Sequence, residues 1–414
     1  MNQNKRNNFR IIGHGGYGCV ISPEIKCKTQ IPGSREYLSK IQKNRHQTQV
    51  EIEIGEIIQK ELPNQFHLYF SPIISHCPVN LEKMEKQNIS QCRPLTKGNN
   101  PLQPPTFISG KIKYIGKKTM GDRLQEIIST KSLKTYIKTI VNSQIYLLRS
   151  LQKLSEMGII HLDIKENNIM YNDAQDIFII IDFGLAVKTN QLTIMTPTQQ
   201  LFPHPTESYK YDPWSIDVVL LTYIETKIQT QTQTQTLTQS DIEELKRRCT
   251  LFCEQNPVLQ IKSAFSEYSR KKLKQELHKW IDMFNGKTWE YAWKQLTANH
   301  KSWDNYSLAV AYLFELEDSD IMNKFLPDKD TDKNVMKKYM EMLKKIVLSM
   351  PNDRPDPKDT LQTLIAIFNH IDGKEYSKWI HETEPRIDIK QIQHNKKLRT
   401  LSQIEDDTQI QNVR

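Results

Sequence analysis

Two short polar stretches near the middle of the chain carry residue types that could transfer a phosphoryl group. They are His161-Leu162-Asp163-Ile164-Lys165-Glu166-Asn167-Asn168 and Asp182-Phe183-Gly184. A carboxylate at Asp163 could orient a hydroxyl and accept its proton, while Lys165 could neutralise negative charge on the moving phosphoryl group. The side-chain oxygens of Asn168 and Asp182 are ligands of the kind that Mg²⁺ prefers. Together the two stretches predict phosphoryl-transfer chemistry.

Glycines recur near the start of the chain at a spacing that suits phosphate binding. The segment Gly13-His14-Gly15-Gly16-Tyr17-Gly18-Cys19-Val20 fits the pattern G-x-G-x-x-G-x-V. Glycines let backbone amides approach phosphate oxygens without a side-chain collision. Alone, the pattern is equally typical of a glycine-rich hairpin that binds nothing. It is not a dinucleotide-binding fingerprint, because a strand-like run rather than a helix follows the last glycine.

The elements that must position these residues begin with a small sheet. Short apolar runs between residues 8 and 41 flank the glycines and predict strands. Apolar residues from Gln49 to Leu62 change to helical spacing, and Pro63 marks the expected end of that helix. Leu68 to Ile74 and Ser109 to Ile115 predict two more strands. The amino-terminal part is therefore expected to be a sheet with one helix.

The remainder of the chain has a mainly helical pattern. Leu133 to Met157 predicts a long helix that ends at Gly158, and two short strands are expected at Ile169 to Tyr171 and Ile177 to Ile181. Beyond Tyr209 the pattern is mostly helical. Four Gln-Thr pairs, Gln229 to Thr236, interrupt it and predict a flexible insert, since they offer no apolar side chain to bury.

Composition argues against a membrane-spanning protein and against a dedicated nucleic-acid surface. The 414 residues are 37% apolar and 25% charged, which favours a globular chain with polar insertions. No apolar run is long enough for a membrane span. The net charge of +9 is spread along the chain, which favours solvated helix faces over a nucleic-acid surface. Six cysteines without a CxxC pair favour free thiols and a cytoplasmic or nuclear, reducing location.

The motifs together resemble the eukaryotic protein kinase superfamily over roughly Phe9 to Phe368. The segment Gly16-Tyr17-Gly18-Cys19-Val20 and the reduced A-P-E motif before Ser208 are similar to those of divergent kinases of large DNA viruses and protists. The resemblance implies an α+β, two-lobed fold with ATP held between a small β-rich N-lobe containing one helix and a larger, mainly helical C-lobe. The expected divisions are an N-lobe at 1–117 with a polar insert at about 78–106, a C-lobe at 118–372 with a helical and low-complexity insertion at about 209–302, and a polar tail at 373–414.

The resemblance also implies roles for individual residues. Asp163 is expected to be the catalytic base assisted by Lys165, Asn168 and Asp182 are expected to bind Mg²⁺, and His161 is expected to support the catalytic loop. The residues expected to contact ATP, or to order the groups that do, are Gly13, Gly15, Gly18, Val20, Lys40, Glu51, Tyr114, Ile115 and Gly116.

Two of these assignments rest on a choice between neighbours. Lys40 lies in an apolar strand, whereas its rivals Lys26 and Lys28 lie in an expected loop. The partner of the lysine is expected to be a glutamate on the following helix. Glu51 is preferred to Glu53 because apolar residues follow Glu51 at helical offsets on the same face.

The catalytic loop also indicates the class of substrate. Lys165 resembles the corresponding lysine of serine/threonine protein kinases, which implies protein substrates phosphorylated on Ser or Thr. A pseudokinase acting as a binding scaffold and a small-molecule kinase remain as alternatives. Leu162 stands where many kinases carry an arginine, so phosphate on Thr193, Thr196 or Thr198 would lack that bidentate partner. Oligomeric state, substrate identity and pathway are not indicated.

Two stretches compete for the central helix of the C-lobe. One begins at Asp212 and the other at Asp304, and their distances to Arg354 are 142 (354 minus 212) and 50 (354 minus 304) residues. The shorter distance and the apolar run after Asp304 favour the second. This alignment predicts that Asp304 binds the catalytic loop and that Glu207 pairs with Arg354.

Overall fold

The computed structural model describes residues 10–14, 18–25, 36–81, 92, 95, 106–193, 201–202, 207–230, 232–321 and 335–369. These residues form two compact units. The first unit takes the described residues within Met1–Lys117 and Asn172–Ala186, and the second takes those within Lys118–Tyr171 and Val187–Arg414. Gly15, Thr196, Thr198, the expected tail and most of the expected insert at 78–106 lie outside the described residues.

A five-stranded antiparallel sheet forms the framework of the first unit. The strands of this unit are β1 Arg10–His14, β2 Gly18–Ser22, β3 Tyr37–Lys43, β4 Phe70–Ser71, β5 Ser75–Val79, β6 Phe107–Lys113 and a further strand Ile177–Ile181. The order in the sheet is β1-β2-β3-β6-β5. Gly18 lies opposite Gln42 and Val20 lies opposite Lys40 between β2 and β3. The glycine-containing hairpin is therefore in direct register with the strand that carries Lys40.

Two helices complete the described part of this unit, α1 His46–Glu61 and α2 Phe66–Tyr69. The first confirms the helix predicted to end near Pro63. The strand predicted from Leu68 to Ile74 is wrong at its start, because Phe66–Tyr69 is helical and only Phe70–Ser71 pairs, in parallel, with Ile180 and Ile181. Short apolar runs do not distinguish a helical turn from a buried strand, which explains the error.

Three of the described cysteines are disulfide-bonded, whereas the sequence predicted free thiols. Cys19 and Cys92 form a disulfide within a buried apolar cluster that includes Ile21 and Ile41. Cys77 is disulfide-bonded as well. The prediction of free thiols is wrong for these residues, so it no longer supports a reducing location. Cys249 and Cys253 are free and buried, and burial raises the pKa of the Cys253 thiol to about 12.

Helices dominate the second unit. They are α3 Met120–Thr130, α4 Leu133–Glu156, α5 Ile216–Thr230, α6 Gln239–Gln255, α7 Glu267–Asp282, α8 Trp289–Thr297, α9 Trp303–Asp318, α10 Val335–Leu348 and α11 Pro357–Asn369. Side chains that cap helix starts in this unit are Thr119, Ser132, Thr238, Ser266 and Thr288. Each accepts a backbone N–H that would otherwise lack a partner in the first turn.

Helix α9 occupies the core of this unit. Nearly every residue from Trp303 to Asp318 is buried, including the apolar run that follows Asp304. A helix that is apolar on all sides must be surrounded by other elements, and α4 and α10 pack against it. The carboxylate of Asp304 therefore enters the interior of the unit at the start of this helix.

The Gln-Thr tract is more ordered than its composition indicates. Its main chain accepts hydrogen bonds at Gln235 from the N–H of Trp289 (3.1 Å) and at Gln233 from the N–H of Glu290 (3.2 Å). The expectation of a flexible insert is therefore wrong for the described part of the tract. Backbone groups supply these contacts, so a pattern of side chains does not reveal them.

Within the ranges given above, no helix is long and apolar enough to cross a membrane. Strands dominate the first unit and helices dominate the second. The expected α+β fold class is confirmed.

Replacement of Cys92 by Ser should destabilise the oxidised protein by about 2–4 kcal/mol, because a cross-link between residues 73 positions apart restricts the unfolded chain. Urea unfolding of the two oxidised proteins measures the difference.

Peptide mapping supplies the control for the disulfide itself. Without reductant, the Cys19 and Cys92 peptides should be recovered as one cross-linked species, while Cys249 and Cys253 should be alkylated once the protein is unfolded. Alkylation of Cys19 under the same conditions would contradict the assignment.

Candidate functional site

A buried cluster of charges lies in the first unit. Lys40 Nζ donates to both carboxylate oxygens of Glu51, at 2.7 and 2.9 Å, and to Asp182 Oδ1 at 2.8 Å. Burial alone would lower the pKa of Lys40, but the carboxylates of Asp182 and Glu51 raise it above its ordinary value. Burial raises the pKa of Glu51, and Lys40 opposes that shift. The lysine is therefore held as a cation between two carboxylates.

Gln42 extends this cluster. It lies two residues after Lys40 on β3, so both side chains project from the same face of the strand. Its amide donates to Glu51 Oε2 at 2.9 Å, and Gln42 is almost fully buried. A Cβ atom at Gly18 would lie 2.7 Å from Gln42 Cγ and 2.0 Å from the Ile41 carbonyl oxygen. A glycine is thus required at position 18 if Gln42 is to reach Glu51.

The other expected ATP-contacting residues in the first unit lie on the sheet and after it. Gly13 pairs with Val20 across β1 and β2. The main-chain N–H of Tyr114 donates to the Glu36 carbonyl oxygen at 2.7 Å, which extends the pairing beyond β6. Ile115 and Gly116 follow and are half-buried.

The catalytic-loop residues come together in the second unit. Asn168 Nδ2 donates to Asp163 Oδ2 at 2.7 Å and to the Asp163 carbonyl oxygen at 2.9 Å. Lys165 Nζ lies 3.3 Å from Asp163 Oδ1. The hydroxyl of Tyr211 donates to that same oxygen and accepts from Lys165 Nζ at 3.2 Å. Asp163 is therefore a buried carboxylate with donors on both oxygens.

Asp304 fixes the main chain that carries Asp163. Its carboxylate accepts the N–H groups of His161 at 2.7 Å and Leu162 at 2.9 Å, as the alignment predicts. Burial raises the pKa of Asp304, against the effect of His161 and these two donors. Leu162 has φ of 61°, in the left-handed region that costs a residue with a side chain about 1–2 kcal/mol. The indole N–H of Trp214 donates to the Leu162 carbonyl oxygen at 2.9 Å and so also holds this residue.

The predicted pairing of Glu207 with Arg354 is wrong. Arg354 instead donates to Asp217, at 3.0 and 3.2 Å, and both side chains are buried. Glu207 pairs with Lys210 near the surface. The alignment with the family selected Glu207, whereas Asp217 lies at the second residue of α5 and faces the interior, where Arg354 is also buried.

The structure thus forms two clusters, each within its own unit. Lys40, Glu51 and Asp182 meet in the first, and Asp163, Lys165 and Asn168 meet in the second. Sequence reasoning missed Gln42, Tyr211 and Asp217. The alternation of side chains along β3 could have revealed Gln42, but no local pattern indicates the contacts of Tyr211.

The donor chemistry of both clusters suits the expected ligands. Asn168 directs its amide nitrogen at Asp163, which leaves the amide oxygen as the atom that could bind a cation. Asp182 supplies a carboxylate, and Lys40 is a point charge suited to phosphate. These residues fit Mg²⁺ and a nucleoside triphosphate.

Comparison with known proteins adds one finding. A family model described as "Protein kinase domain" matches residues 6–365 of the chain. No curated protein matches it.

Replacement of Gln42 by Leu should lower the free energy of unfolding by about 1–3 kcal/mol, because the buried Glu51 carboxylate loses a donor. The deficit should shrink as the pH falls and Glu51 becomes protonated, since the Gln42 bond favours the charged form. Urea unfolding across pH tests this. Gln49→Leu, at an exposed residue of α1, is the control and should change stability by less than about 0.5 kcal/mol. Equal effects of the two variants would contradict the assignment.

Replacement of Asp304 by Ala should cost about 3 kcal/mol or more, because two buried N–H groups lose their acceptor and the left-handed Leu162 loses an anchor. Thermal melting should show a drop of several degrees. Asp282→Ala removes a carboxylate that is 56% exposed and should leave the melting temperature nearly unchanged. Similar melting temperatures for both variants would refute the role given to Asp304.

Proposed function

The chain belongs to the protein kinase family, and from that premise we propose that it is an active serine/threonine protein kinase that transfers the γ-phosphoryl group of ATP to protein hydroxyls. The observation that carries the proposal is the arrangement around Asp163, where Lys165 and Asn168 lie within bonding distance of its carboxylate. A scaffold protein without activity would have no need for an oriented carboxylate beside a lysine.

The residues of the first unit would bind the nucleotide. Lys40, held by Glu51 and Asp182, would present its charge to phosphate oxygens. Backbone amides of the glycine-containing segment from Gly13 to Gly18 would approach the same oxygens. Asp182 of this unit, and Asn168 of the second unit, would each offer an oxygen to Mg²⁺, which when bound neutralises charge on the phosphates. Tyr114, Ile115 and Gly116 would contact the adenine.

The residues of the second unit would act on the acceptor. Asp163 orients the acceptor hydroxyl and takes its proton as the new oxygen–phosphorus bond forms, while the bond from the γ-phosphorus to the bridging oxygen breaks and ADP leaves with that oxygen. Lys165, beside Asp163 Oδ1, neutralises negative charge on the transferred group. Asn168 holds the other carboxylate oxygen and so limits rotation of the base. Lys165 supports Ser/Thr specificity through the family resemblance.

Replacement of Asp163 by Asn should reduce transfer of radiolabel from ATP to casein by at least about a hundredfold while leaving ATP affinity nearly unchanged, because the amide cannot accept the proton. Asp182→Asn should abolish transfer as well and also weaken Mg²⁺-dependent ATP binding, since a cation ligand is lost. Transfer assays with isothermal titration of ATP separate the two effects.

Asp282→Asn, at a surface carboxylate, is the matched control and should retain full activity. Equal transfer by wild type and Asp163→Asn would contradict the role of the base. Wild-type protein that binds ATP but transfers no label would favour the scaffold interpretation.

A further inference from the structure

The phenol of Tyr211 lies where an acceptor hydroxyl would be expected. Its hydroxyl donates to Asp163 Oδ1, the oxygen that also faces Lys165 Nζ. The proton-accepting group of the proposed reaction already holds a hydroxyl supplied by the protein itself.

Packing holds Tyr211 in this position. The residue is buried, with 4% of its surface exposed. Its ring meets the indole of Trp214 edge to face, with 5.1 Å between ring centroids, and Trp214 is bonded to the Leu162 carbonyl oxygen. The phenol is therefore attached to the same loop whose carboxylate it contacts.

An acceptor hydroxyl would have to compete with groups of the protein that already contact the Asp163 carboxylate. Oδ2 accepts from Asn168, while Oδ1 accepts from Tyr211 and faces Lys165. An acceptor hydroxyl must reach one of these oxygens before its proton can be removed. Lys165 and Asn168 have roles in the proposed reaction, so the phenol of Tyr211 is the donor that can leave.

We propose that Tyr211 is an autoinhibitory residue of the acceptor site, whose hydroxyl must be displaced from Asp163 before a Ser or Thr hydroxyl of a protein substrate can bind there. The inference rests on the proposed function of Asp163. A phenol is more acidic than an alcohol and so donates a stronger hydrogen bond to a carboxylate. This unfavourable exchange lowers the affinity of every acceptor hydroxyl by the same factor, so a substrate binds well only if it gains further contacts with the protein.

The test compares Tyr211→Phe with wild type in transfer of radiolabel from ATP to casein. The variant keeps the ring and loses only the hydroxyl. A hydrogen bond to a charged group changes equilibria by roughly ten- to a hundredfold, and part of this is recovered from the incoming alcohol. The KM for casein should therefore fall and kcat/KM should rise about tenfold, while the KM for ATP should stay within about twofold.

Tyr209→Phe is the matched control. Tyr209 is a buried tyrosine two residues earlier, and its hydroxyl donates to Glu207 instead of Asp163. This variant should leave the KM for casein and kcat unchanged. Tyr211→Leu also removes the hydroxyl and is assayed in parallel, with thermal melting of each protein, so that a folding defect in one variant does not decide the result.

The outcomes separate this inference from the proposed function. If wild type transfers label, Asp163→Asn does not, and Tyr211→Phe shows an unchanged KM for casein, the inference fails and the proposed function stands. A fall in kcat at constant KM would mean that the phenol orders Lys165, which also overturns the inference. If neither wild type nor Tyr211→Phe transfers label, both fail. Activity that appears only in Tyr211→Phe would support both.

Discussion

The catalytic loop of this protein depends on one buried carboxylate. Asp304, at the start of the central helix α9, accepts the main-chain N–H groups of His161 and Leu162. Burial of a charged carboxylate is unfavourable unless donors surround it, so the loop and the helix stabilise each other. Through Leu162 this contact fixes the backbone from which Asp163 projects. A helix in the core thereby sets the position of the proposed base.

In the first unit, too, buried charged groups are stabilised by hydrogen-bonding partners that surround them. Lys40 is buried between Glu51 and Asp182, and Gln42 supplies another donor to Glu51. The missing side chain at Gly18 leaves the space in which Gln42 crosses from β3 toward α1. The glycine pattern therefore has a packing role in addition to its expected approach to phosphates. One residue type satisfies both requirements because both require close contact with a backbone.

The sequence predicted those parts of the molecule that depend on periodicity and on contiguous motifs. Helix α1 and the sheet strands around Lys40 follow from spacing. The central helix after Asp304 follows from its apolar run together with the family alignment. The Gln233 and Gln235 backbone contacts, the Cys19–Cys92 bond and the Arg354–Asp217 pair did not, since each joins segments far apart in the chain. Short apolar runs such as Leu68 to Ile74 also lack the length that separates a helical turn from a strand.

Tyr211 and Trp214 bind two neighbouring groups of the catalytic loop, the Asp163 carboxylate and the Leu162 carbonyl oxygen. Trp214 binds the Leu162 carbonyl oxygen and packs against the Tyr211 ring, while the Tyr211 hydroxyl contacts Asp163. Any displacement of the short segment that carries both aromatics would move the hydroxyl and release the Leu162 carbonyl together. Because Leu162 holds a left-handed conformation that needs its anchors, full withdrawal of Tyr211 by movement of this segment would strain the loop. A rotation of the Tyr211 side chain alone would leave the bond between Trp214 and the Leu162 carbonyl oxygen in place, so the proposed displacement of the phenol does not require the loop to move.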